Sequence, residues 1–300
     1  MYRIKGTDYL VEYPLIEKTA SKKAIDNKAY QIGELLKRHP QLKVYAYYVT
    51  KAQNLNWFDK SENITSFDYI GYLASKLPKE VRFDYLKFVD LDDYMAKSFK
   101  TDHHWNYKGS YQGYIDIYRM MSQDFDLSPL KEPVGELDFS EFGGAKFIGS
   151  YGGKSGGTRN EPDDFIAYEF DLGDYVSYYG DEVKDLGLMN EYKQGNFKKE
   201  LTTDHYTQYY GGFESQALIR HVFEGNELNL LFIGDSNNRA IRRVIASHFH
   251  TTLFVEYRYL EKTDLDQLIK DYDIDCVLIM GQDRYWQSNL YEFKNYPKLD

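Results

Sequence analysis

Along the chain, short apolar runs alternate with stretches in which apolar residues recur every three or four positions, a rhythm of buried strands and amphipathic helices. Ala24, Ile25, Ala29, Ile32, Leu35 and Leu36 predict a first helix from Ser21 to Lys37, with Ser21 as its cap and Pro40 beyond it. Residues 44–49 predict a first core strand, 67–77 a helix ending before Pro78, and 83–89 a second strand. A short excursion beginning Asp90-Leu91-Asp92-Asp93 then leads to Asp102, so Asp102 is expected to follow a strand. Asn106 reads as the cap of a helix whose Tyr111, Tyr114, Ile115, Tyr118 and Met121 share one face. Between residues 125 and 215 the period breaks into short alternating pieces such as 165–170, separated by glycine turns. This predicts a β-rich insertion, with Gly152-Gly153-Lys154-Ser155-Gly156-Gly157 as a mobile loop that could cover substrate. From Gln216 the rhythm returns: helix to about Val222, strand to Ile233, helix to about Phe249, strand 252–257, helix from Asp264, strand 276–280. Such alternation predicts an α/β fold, a parallel sheet with helices on both faces, in one elaborated domain spanning residues 1–300.

Two stretches carry candidate chemistry. Leu230-Leu231-Phe232-Ile233-Gly234-Asp235-Ser236 is an apolar run ending in a sharp turn, with helical spacing resuming at Ala240. A serine at that turn lies beside the free N–H groups of the helix's first turn, which can stabilise a developing negative charge. Asp235 and Ser236 could equally do no more than cap the helix. The second stretch, Thr101-Asp102-His103-His104-Trp105-Asn106, supplies what a nucleophilic serine requires: a histidine to take its proton and a carboxylate to orient that histidine. In an extended segment residues two apart project to the same side, so Asp102 and His104 would face the site and His103 would point away.

Asp102-His103-His104-Trp105-Asn106, with Gly109 after it and Gly234-Asp235-Ser236 later, resembles the DHHW proteins, which are similar to the SGNH-hydrolase-like domains of alginate O-acetyltransferases and related polysaccharide O-acetyltransferases. The resemblance also takes in residues 209–212, 255–259 and 275–279. It implies a three-layer α/β/α SGNH-hydrolase-like sheet and a triad of Ser236, His104 and Asp102, the Asp-x-His pair preceding the serine. It further implies O-acetyl transfer to or from a polysaccharide through an acetyl-serine, with no cofactor. Asn237 stands where many relatives carry an aromatic, so a different pocket wall is expected. Oxyanion and substrate contacts are expected from the Ser236 N–H, from Gly211 or Gly212, from Asn237, and from Arg258 at the end of another strand.

Composition narrows this reading. A net charge of −10 argues against nucleic acid as partner and favours a neutral or cationic substrate. The 30 tyrosines suit sugar rings, though they could simply fill core and surface. Cys276, the one cysteine, sits in an apolar run and reads as a small buried hydrophobe. Neither a signal peptide nor a transmembrane run is legible. The resemblance implies work outside the cytoplasm, in a bacterial cell envelope, behind an N-terminal segment beyond this sequence, with an acetyl donor and beside a membrane-bound O-acyltransferase. Three other readings stay open: a carbohydrate esterase, a catalytically silent glycan-binding module, and a metal site built from Asp102, His103, His104 and His205. The last lacks a recognised ligand spacing and would leave Ser236 without a role.

Overall fold

The computed structural model describes residues 1–12, 18–55, 67–140, 144–212, 218–289 and 291–299. Eight strands form its central sheet: β1 (Lys43–Tyr48), β2 (Arg82–Tyr85), β3 (Tyr175–Tyr179), β4 (Glu182–Val183), β5 (Ile219–Phe223), β6 (Asn229–Gly234), β7 (Thr251–Glu256) and β8 (Cys276–Gly281). The order across the sheet is β4-β3-β5-β7-β6-β8-β1-β2. The five strands from β7 to β2 are parallel, and β5, β3 and β4 add an antiparallel edge. The helices are α1 (Lys18–Arg38), α2 (Tyr69–Lys76), α3 (Leu91–Lys97), α4 (Tyr107–Met121), α5 (Ser150–Lys154), α6 (Met189–Lys193), α7 (His205–Tyr210), α8 (Arg242–Ala246), α9 (Leu265–Asp271) and α10 (Asp283–Trp286).

The central strands are apolar throughout because both their faces are covered. On one face Val44, Ala46, Ile233 and Ile279 meet Ile32 and Leu35 of α1, Leu73 of α2 and Ile269 of α9. On the other, Tyr45, Phe232, Leu278 and Met280 meet Tyr114 and Ile117 of α4 and Val244 and Ile245 of α8. This is the three-layer α/β/α arrangement expected from the sequence. Among the described residues, no helix is long and apolar enough to cross a membrane.

Several local expectations are corrected. The first helix begins at Lys18, so Ser21 lies inside it, buried, and donates its hydroxyl to Gln287 (3.4 Å). Residues 219–223 form strand β5, not a helix: Ile219, His221 and Phe223 are buried while Arg220 and Val222 are half-buried, the period of two that a strand needs. The expected start of that helix, Gln216, lies outside the described residues. Strand β2 stops at Tyr85, and Asp90 caps α3 by accepting from the Asp93 N–H, so Asp102 follows a helix. In the glycine cluster, residues 150–154 are helical. Residues 125–215 are rich in short strands: 133–138 pairs with 166–170, and 146–147 with 163–164. Strands β3 and β4, also from this stretch, extend the central sheet instead.

Helix α4 starts as the sequence predicts. The Asn106 side chain accepts from the N–H groups of Lys108 and Gly109 (3.0 and 3.2 Å) and donates to the carbonyls of Ala96 and Ser98 (2.9 and 3.3 Å). It thereby caps α4 and ties it to the end of α3. Asn106→Ala is expected to lower the unfolding free energy by about 1–2 kcal/mol in urea titrations, the usual effect of losing such a cap; an unchanged midpoint would show that the cap does not matter.

Candidate active site

Parallel α/β sheets gather ligands outside the carboxyl ends of their strands, and the candidate residues collect there. Strand β6 ends at Gly234, and Asp235 turns the chain into a short 3-10 helix, Ser236–Ala240, ahead of α8. Asp235 fixes that turn. Its carboxylate accepts from the Asn237 N–H (2.9 Å), from the Asn237 amide (3.0 Å) and from the Gln282 N–H just beyond β8 (2.9 Å). Ser236 is therefore the first residue of a helical turn, where backbone N–H groups have no intrahelical acceptor.

The Ser236 hydroxyl lies 2.7 Å from His104 Nε2, and His104 Nδ1 lies 2.5 Å from Asp102 Oδ1. An ionised carboxylate only accepts, so Nδ1 carries the ring proton and Nε2 accepts from Ser236. Segment 101–104 is bent, not extended. Its bend lets the Asp102 carboxylate also accept the His104 backbone N–H (3.0 Å), and it leaves His103 on the same side. The expectation that His103 points away is overturned. Its ring packs against that of His104 with centroids 3.8 Å apart, and its Nδ1 lies 2.7 Å from the Ser150 hydroxyl. Tyr206 stacks nearly parallel against His104 (4.0 Å, 13°), and its hydroxyl donates to the carbonyls of Ser236 and Asn237. The imidazole is thus held between two rings.

The bend is braced from three directions. Asp163 accepts from the backbone N–H groups of Lys100 and Thr101 (2.7 and 2.8 Å) and from the Thr101 hydroxyl (2.6 Å). The N–H of Ser150, at the start of α5, donates to Asp102 Oδ2 (2.7 Å). Gly149 allows that approach, since a Cβ there would lie 2.3 Å from the Asp102 Cβ. Lys51, just past β1, donates to the His103 carbonyl. Sequence reasoning missed Ser150, Asp163, Lys51 and Tyr206, and nothing local marked them: each is recognisable only from what the fold brings against residues 101–104.

Burial draws the His104 pKa down from 6.5 to about 3, with the neighbouring His103 acting in the same direction and Asp102 opposing both. Burial alone would raise Asp102, but the two imidazoles outweigh it and hold the carboxylate well below its usual range. The resting pair is a neutral base beside an ionised carboxylate. Asp102, His103 and His104 offer ligand atoms within 4.8 Å of one another. A cation there would have to displace Ser236 or Asp102 from His104, because both ring nitrogens are already engaged. His205 lies elsewhere, buried and bonded through Nδ1 to the Tyr192 hydroxyl (2.6 Å).

Ser236 opens into a cleft of about 620 Å³ whose lining includes His103, His104, Gly212, Arg239 and Arg258. Gly212 and Arg258 therefore border this cleft, Arg258 with its Nε donating to Glu256. Gly211 and Asn237 do not line this cleft. Gly211 ends α7 with φ +80°, a left-handed turn that suits glycine. Asn237 is fully buried against Asp235, so the expected change of pocket wall at this position is not made.

No protein-family model matches the sequence, nor does any curated protein sequence. Solved structures do match. Bacillus cereus PatB1 is 19% identical with TM-score 0.72, covering 97% of this chain and 99% of its own, and PatB1 with a sulfonyl adduct is 20% identical with TM-score 0.73, covering 96% of each. A DHHW family protein from Eubacterium siraeum is 18% identical with TM-score 0.62, covering 87% of this chain and 86% of its own. The chain is thus similar to these proteins in fold.

A nitrogen-15 NMR titration is expected to find the His104 ring uncharged from neutral pH to well below 6.5, with a midpoint near 3. The sign carries over to stability. The unfolded chain binds this proton near 6.5 and the folded chain does not, so His104 makes the fold less stable as pH falls from 6.5 towards 3. An imidazolium at neutral pH in the free protein would contradict the assignment.

Proposed function

We propose that this chain is an acyl-transfer enzyme that moves or removes O-acetyl groups on a polysaccharide through an acetyl-Ser236 intermediate. The observation that carries the reading is the continuous Asp102-His104-Ser236 hydrogen-bond chain, opening on a cleft large enough for sugar residues. In the first half-reaction Ser236 Oγ attacks the acetyl carbonyl carbon while His104 Nε2 takes the hydroxyl proton, and Asp102 stabilises the imidazolium that forms. The tetrahedral oxyanion accepts hydrogen bonds from the Ser236 N–H and from Gly212, the glycine that lines the cleft. Collapse breaks the ester bond, and the departing alkoxide takes the proton back from His104. In the second half a sugar hydroxyl or water gives its proton to His104 and attacks the acetyl-serine, restoring Ser236.

The resemblance of the Asp102–Asn106 and Gly234–Ser236 motifs to the DHHW proteins favours acetyl as the acyl group and a cell-envelope polysaccharide as acceptor. An extracytoplasmic setting, an acetyl donor and a membrane-bound O-acyltransferase as partner belong to the same reading and rest on that resemblance alone. PatB1, which shares the fold, is known with a sulfonyl adduct; the proposal assigns the equivalent reactivity here to Ser236.

Hydrolysis of a chromogenic acetyl ester tests the roles. Ser236→Ala and His104→Ala are each expected to lose about 10³-fold or more in turnover while staying folded. His103→Ala is expected to retain turnover within about tenfold, since His103 packs on the His104 ring and lies 3.3 Å from Asp102 Oδ1 but is not bonded to Ser236. Chelator treatment should change nothing. If His103→Ala were the dead variant and His104→Ala the active one, the base would be misassigned; loss of activity with the chelator would revive the metal reading.

A further inference from the structure

A second cleft, of about 630 Å³, lies on the far side of Arg239, which lines it and the catalytic cleft alike. Tyr168, Phe170 and Tyr175 contribute half-buried aromatic rings to its walls. Asp171, Asp174 and Glu191 contribute exposed carboxylates. Flat apolar rings beside acceptor groups match a sugar, whose C–H faces pack on aromatics while its hydroxyls donate to carboxylates. Arg239 and Arg243, only 8% and 5% exposed, edge the cleft from its floor: Arg239 donates to the Thr207 hydroxyl (2.6 Å), and Arg243 donates to Asp185 and to the Tyr210 carbonyl (3.3 Å).

The charge of the cleft restricts which sugars it accepts. Lys193 is tied to Glu169 and Arg243 to Asp185. Asp171, Asp174 and Glu191 are in no ion pair among the described residues, and only Arg239 of the lining cations is left to oppose them. A uronate chain would set its own carboxylates against this surplus; a neutral chain would not, and an amino-bearing one would be attracted.

We propose that this second cleft is a subsite for the non-reacting length of the glycan, taking neutral or amino-bearing sugars and rejecting uronates, with Arg239 at its junction with the catalytic cleft. The proposal names the substrate class for the acetyl-transfer reading and rests on it for purpose, but binding itself does not need Ser236.

The test is calorimetric titration of the Ser236→Ala chain with glucosamine oligosaccharides, cello-oligosaccharides and oligogalacturonates. Glucosamine oligosaccharides are expected to bind most tightly and oligogalacturonates least. Reversing charge at the exposed mouth with Asp174→Lys and Glu191→Lys together should weaken glucosamine-oligosaccharide binding roughly tenfold or more. Tyr175→Ala, checked for folding by its melting curve, should weaken both non-acidic ligands by a similar factor, roughly tenfold. Tightest binding of the uronate, no binding of any of the three, or affinities unmoved by these substitutions would overturn the proposal. Binding that behaves as described, together with failure of the unmutated chain to take an acetyl group onto Ser236, would leave the subsite standing and remove only the acetyl-transfer reading.

Discussion

The chemistry proposed for this chain depends on one side chain being held uncharged and unable to turn. His104 is buried between the rings of His103 and Tyr206, with Asp102 at one nitrogen and Ser236 at the other. In water an imidazole tumbles and titrates near neutrality; here burial withdraws the charged form, and the carboxylate fixes which nitrogen keeps the proton. The ring can still accept a proton during reaction, because the imidazolium would then lie 2.5 Å from an ionised carboxylate. The nucleophilic role proposed for Ser236 follows from that balance.

Keeping the balance is the work of residues far from the triad in sequence. The bend at 101–104 exists because Asp163 gathers the amides of residues 100 and 101, and because α5 presents the Ser150 N–H to Asp102. Tyr206, from α7, closes the third side. All three come from residues 125–215, so that stretch braces the Asp102–His104 pair as well as supplying, through Tyr168, Phe170 and Tyr175, the walls of the second cleft. Its irregularity in sequence reflects this division of tasks: short strands and turns can place single residues against a loop where a regular helix could not.

What was legible in the sequence is what local periodicity controls. The strands around Phe232 and Leu278 are buried on both faces and read as unbroken apolar runs, and Asn106 announces its helix by ordinary capping chemistry. Ser236 was legible because a strand followed directly by a helical pattern leaves one residue at the turn. The pairing of Asp102 with His104 was anticipated for a reason the structure replaces, since the two meet through a bend and not by alternation along an extended segment. Ile219–Phe223 was mistaken for a helix because five residues of mixed polarity fit either period until their sheet partners are known. Gly152 read as part of a loop and Gly149 carried no reading at all; Gly149 is there to let a backbone amide reach a carboxylate, a need that exists only once Asp102 is in place.

The central claim is that Ser236, activated by His104, accepts an acyl group. Brief reaction with an activated acetyl ester, followed by acid quench and peptide mass spectrometry, reads this directly. The account predicts one acetyl group per chain, on the peptide containing Ser236, absent from Ser236→Ala and strongly reduced in His104→Ala. Acetylation at another residue, or its persistence at full level in the Ser236→Ala chain, would contradict it.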